Sequence, residues 1–141
     1  MHDTSKDITV DILNQNLESL FQLNKEIVET LFIISKIKPN VWHILFKNEL
    51  KLIQEKILSH RKQLQEIDEK ILLRTFLGLN TSTHIISNRI SLMYDSRNVI
   101  LNTLSEAQQQ FSSIESQIFF KITVLLSIAA ITISIVSIFL N

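Results

Sequence analysis

Cysteine is absent from the 141 residues, and glycine and proline occur once each. The lack of cysteine excludes disulfides, thiolate metal sites and cysteine nucleophiles. One glycine and one proline exclude a meander, a sandwich or a string of βαβ units, because such folds need turn residues every ten positions or so. Neither sign of charge is in excess, since 14 Lys and Arg stand against 14 Asp and Glu. That balance supplies no electrostatic footprint for nucleic acid.

Catalytic patterns are missing as well. Gly78 stands alone, so no glycine-rich loop can cradle a phosphate. His2, His43, His60 and His84 are scattered, without a His or Glu three or four positions away to share one helix face around a metal. Glu66, Asp68 and Glu69 cluster on what reads as a solvated helix face. The sequence is expected to be non-enzymatic, with no cofactor, no metal and no small-molecule substrate.

What is present begins at the C-terminal end. Residues 122–140 read ITVLLSIAAITISIVSIFL, without charge, Pro or Gly. As a helix they extend about 28 Å, close to the roughly 30 Å hydrocarbon core of a bilayer. With only Asn141 after them, they have the form of a single-pass tail anchor. The start, MHDTSKDITVDIL, has neither the basic opening nor the apolar stretch of a signal peptide. Lys121 precedes the span and no Lys or Arg follows it, so the N-terminal bulk is expected in the cytoplasm.

Two breaks divide the remainder. Pro39-Asn40 interrupts the first, and Gly78-Leu79-Asn80-Thr81-Ser82 the second, between stretches whose apolar residues keep a helical period. The spacing predicts helices at about 5–37, 41–75 and 82–118, each about 50–55 Å long. A capping box of Thr4 and Asp7 precedes the first. Its seam runs Val10, Leu13, Leu17, Leu20, Asn24, Ile27, Leu31 and Ile34, widened by Phe21, Val28 and Phe32. The second seam runs Phe46, Leu50, Ile53, Ile57, His60, Leu64, Ile67 and Ile71. The third runs Ile86, Ile90, Met93, Arg97, Ile100, Leu104, Ala107, Phe111, Ile114 and Ile118.

The fold class expected is all-α: an antiparallel bundle or coiled coil of three long helices over 1–118, with the anchor at 119–141. No Gly or Pro follows Ser82, so the third helix is expected to run unbroken into the bilayer. The link between the first two helices then lies at the membrane surface. There Lys36, Lys38, Trp42, Phe119, Phe120 and Lys121 are interface candidates.

Three seam positions are polar: Asn24, His60 and Arg97. They stand about 20, 28 and 32 Å above the membrane end, so His60 and Arg97 are expected within a turn of each other, in a polar layer that fixes register. On that reading Arg97→Leu raises stability. In the span, Thr123, Ser127, Ala130, Ser134 and Ser137 form one stripe of small residues, suited to close helix contact or to lining a pore.

An anchored coil with one central Arg resembles the general plan of an R-type SNARE. Six seam layers follow Arg97, fewer than that family carries, and the function is not carried across. A stalk entering the membrane at Lys121 is similar to the end of a CorA-type magnesium channel subunit. The Gly-Met-Asn signature, second span and α/β domain of that family have no counterpart here. The function expected is contact: a tether, scaffold or assembly subunit whose partners are membrane lipid and a second copy or a helical protein. The alternative is a homo-oligomeric pore lined by the C-terminal helix.

Overall fold

The computed structural model describes residues 4–40, 48–76 and 84–140, with side chains at 11–40, 48–71 and 87–140. Three helices make it up: α1 (Thr4–Lys36), α2 (Asn48–Phe76) and α3 (His84–Leu140). No strand occurs among the described residues. The expected start of the second helix at 41, Trp42, Phe46 and the Gly78–Ser82 break lie outside them, as do the side chains of Val10 and Ile86.

Local chemistry explains where α1 stops. Pro39 disfavours helical geometry at the residue before it, and the Ile37 amide tightens onto the Ile34 carbonyl at 3.0 Å. Lys36 in the last turn and Glu49 in the first turn of α2 both suit the helix dipole.

The three helices pack around one apolar core. Leu20, Ile27, Ile34, Ile57, Ile100 and Phe111 are its most completely buried large side chains. Each such side chain contributes about 1.5–3 kcal/mol by leaving water. Ala107, fully buried, lets α3 come close to its neighbours. α1 makes most of its contact with α3 and less with α2, while α2 and α3 touch least.

α1 buries the seam its spacing suggests, through Leu13, Leu17, Leu20, Ile27 and Ile34, but widens it on the other flank. Phe21, Val28 and Phe32 do not widen the core stripe; they are 55%, 50% and 58% exposed. Each follows a seam position by one residue, about 100° around the helix. The buried face extends the other way, through Leu23 and Thr30, because α2 and α3 cover only that flank.

α3 runs continuously for 57 residues, about 86 Å at helical rise. Ile118 is its last buried position, Ile122 packs partly on the core, and residues 123–140 are exposed throughout. The most apolar 18-residue window of this helix has a mean hydropathy of 2.5, and none of it is buried. A core helix of a soluble protein would have those side chains covered. α3 is long and apolar enough to cross a membrane.

Candidate functional site

His60 sits on the seam of α2 facing α1, with its ring almost wholly buried. Its Nε2 lies 3.0 Å from Thr30 Oγ1. The Thr30 hydroxyl donates its one proton to the Glu26 carbonyl at 2.9 Å. Nε2 must therefore donate to Thr30, which fixes the neutral ring as the Nε2–H form. Its Nδ1 then carries a lone pair with no hydrogen-bond partner, 4.0 Å from Glu26 Oε2. Burial pushes the imidazole pKa below 6.5, Glu26 pulls it back, Lys56 lowers it and Gln63 nearby raises it. Glu26 is the one carboxylate beside the ring, and among the described residues no three His, Cys, Asp or Glu gather as a metal would need.

Arg97 meets a different partner. Its Nε donates to Asp68 Oδ1 at 2.6 Å and its Nη2 to Oδ2 at 2.7 Å, a bidentate pair between α3 and α2. The Asp68 carboxylate holds the guanidinium further into its charged range, against the opposing effect of burial. Both side chains are partly shielded, unlike the exposed Lys51–Glu55 pair at 3.8 Å; exposed pairs of that kind contribute only a few tenths of a kcal/mol.

The three polar seam residues thus do not share one layer of bonds. Thr30 is the hydrogen-bond partner of His60 and Asp68 that of Arg97, and Asp68 lies about 12 Å further along α2 than His60. Asn24 is half-buried, and its Oδ1 has no partner. Sequence reasoning missed Thr30 and Asp68. Thr30 follows Ile27 at core spacing, so periodicity that ignored polarity would have found that position, whereas Asp68 only borders the seam at Ile67 and spacing alone does not single it out.

At the start of the span, Lys121 Nζ donates to the Pro39 carbonyl at 2.6 Å. This bond holds the residues just after α1 against α3 where the apolar run begins. The Lys36 ammonium stands 3.9 Å over the Phe32 ring, and Lys38 is exposed. Phe119 and Phe120 are 67% and 70% exposed. Within the span, Thr123, Ser127 and Ser134 return their hydroxyls to the carbonyls four residues back, at 2.8–3.0 Å. Those hydroxyls are thereby satisfied inside the helix. Ala130 and Ser137 on the same stripe are exposed.

One groove of 640 Å³ opens between α1 and α2, lined by Glu18, Ser19, Gln22, Leu23, Glu26, Gln63, Glu66, Ile67 and Lys70. It is a shallow, open trough bearing three carboxylates and one ammonium, without an enclosed apolar pocket of the kind that holds a small ligand. Among protein-family models, characterised proteins and solved structures, none matches this chain.

Proposed function

We propose that this chain is a single-pass membrane protein whose three antiparallel helices work by contact with other helices, not by catalysis. The observation that carries the reading is the division of α3. One unbroken helix packs in a core as far as Ile118 and then continues as eighteen exposed residues without a charge. Water would leave that apolar surface uncovered, whereas lipid would cover it.

Cross-helix partners support an up-down-up path. Thr30 meets His60, while residues 18–23 of α1 line the same groove as residues 66–70 of α2. Numbers falling along α1 are matched by numbers rising along α2. Lys36, Lys38 and Lys121 gather on the bundle side of the span, and cations so placed support a cytoplasmic bundle. Exposed Phe21, Val28 and Phe32 on α1 and Leu92 and Val99 on α3 offer apolar flanks for a second copy or a helical partner.

Reconstitution of the full chain in vesicles and nanodiscs tests the proposal with two readouts. The chain should stay with the vesicles through alkaline extraction, and its mass in nanodiscs should exceed that of one copy. Release at alkaline pH sinks the membrane reading. A monomer at every loading sinks association with a second copy.

A further inference from the structure

The end of the bundle nearest the span carries an excess of positive charge. Between Glu29 and Glu49 the sequence contains no Asp or Glu, and none follows Glu115, whereas Lys36, Lys38, Lys47 and Lys121 fall within those stretches. The structure draws the two stretches together, through the Lys121 ammonium on the Pro39 carbonyl. That bond uses one of three ammonium protons, and the Phe32 ring meets only one side of Lys36. Lys36 and Lys38 are exposed and have no carboxylate partner among the described residues.

Apolar side chains surround these cations. Phe32, Ile33, Phe119 and Phe120 are all exposed at the same end of the bundle. On the up-down-up path the base of α2 arrives there too. Lys121 lies about 36 Å down α3 from Arg97, and Asn48 about 30 Å down α2 from Asp68, so the Arg97–Asp68 pair sets Asn48 and Lys121 at nearly one level. Glu49 is the carboxylate closest to that level. Exposed aromatic and aliphatic side chains interleaved with unpaired lysines match the apolar–polar boundary of a bilayer. A zwitterionic surface is net neutral and attracts those ammonium groups only through its phosphates, whereas an anionic one adds a net negative surface potential.

We propose that residues 36–39 at the end of α1 and the start of the span together form a docking surface for anionic phospholipid headgroups, with Lys36, Lys38 and Lys121 as headgroup contacts and Phe32, Phe119 and Phe120 entering the interface. This rests on the membrane reading above. It adds a second point of contact, which would hold the bundle at a fixed height instead of letting it swing on one helix.

The sole Trp, Trp42, lies in the link and serves as the probe. The full chain is reconstituted in nanodiscs of mixed lipid, with bromine on the phosphatidylglycerol or, at equal fraction, on the phosphatidylcholine. Brominated phosphatidylglycerol should quench Trp42 more strongly, corresponding to a local preference on the order of fivefold. That preference should fall toward parity in Lys36→Gln/Lys38→Gln, with phosphatidylcholine quenching retained, and should weaken in the unchanged chain as salt is raised. Equal quenching by both lipids, a preference indifferent to salt and to the double substitution, or no quenching of a chain that remains in the disc would each overturn the proposal. A chain that fails to enter the disc at all instead refutes the membrane reading beneath it.

Discussion

His60 joins a buried ring, a fixed tautomer and an unpartnered nitrogen pointed toward a carboxylate. Because burial lowers its pKa in the fold, the unfolded chain takes up a proton first as the pH drops. Its stabilising contribution is therefore complete above the unfolded value near 6.5 and declines as the pH falls below it. Glu26 opposes this by stabilising the protonated ring, and Lys56 reinforces it. Unfolding free energies at pH 7.5 and 5.5 should differ less for His60→Leu than for the unchanged chain, and more for Glu26→Gln. Parallel pH profiles for all three would show that the ring does not titrate on unfolding in this range. Arg97 calls for the opposite expectation from the one its seam position alone suggests. With Asp68 bound bidentately, Arg97→Leu strands a half-buried carboxylate and should destabilise by about 1–3 kcal/mol. Arg97→Leu with Asp68→Leu should recover most of that loss in chemical denaturation. If the single substitution stabilises the fold, the pair has no structural role. Periodicity marked Arg97 and His60 as seam residues, but their partners depend on how far α2 slides along its neighbours, which spacing within one helix does not encode.

At the scale of elements, legibility followed the number of partners. α3 and α2 read well: the seam from Met93 to Ile118 and from Ile53 to Ile67 lies inside, with Arg97 half-buried. Those helices bury one regular stripe, although Leu52 and Leu58 on α2 and Leu92 and Val99 on α3 stand exposed outside it. α1 read less well because it is apolar on two flanks, and a helix so endowed does not reveal which flank its neighbours take. Leu23 and Thr30 turned inward, and Phe21, Val28 and Phe32 turned out. Thr30 is the instructive case, since its methyl can face the core while its hydroxyl meets Glu26 and His60. A purely apolar count passes over such a position. The unbroken course of α3 was legible for a simpler reason, as nothing between Ser82 and Asn141 can break a helix.

At the scale of the whole molecule, the direction in which α2 runs decides what the base of the bundle contains. If α2 returns toward the span, Asn48 and the link stand beside Lys121 and a lipid-facing surface can form. If it runs the other way, the start of α2 lies away from Lys36 and Lys121, and the bundle rests on one helix. Two exposed positions, Asn48 and Ser116, stand about 30 Å below Asp68 and about 28 Å below Arg97 on the first path. Since Asp68 and Arg97 are bonded, spin labels at Asn48 and Ser116 should be separated by little more than the width of two helices, about 15–25 Å. Labels at Lys70 and Ser116 should be at least about 30 Å apart, because Lys70 lies just beyond Asp68 on the far side from the span. The opposite path reverses the order: the Asn48 label moves to about 60 Å from Ser116, and Lys70 becomes the nearer of the two. Pulsed electron-spin distances on the full chain in nanodiscs separate these outcomes without any change to the core. A short Lys70 distance with a long Asn48 distance would remove both the antiparallel bundle and the two-point attachment to lipid that depends on it.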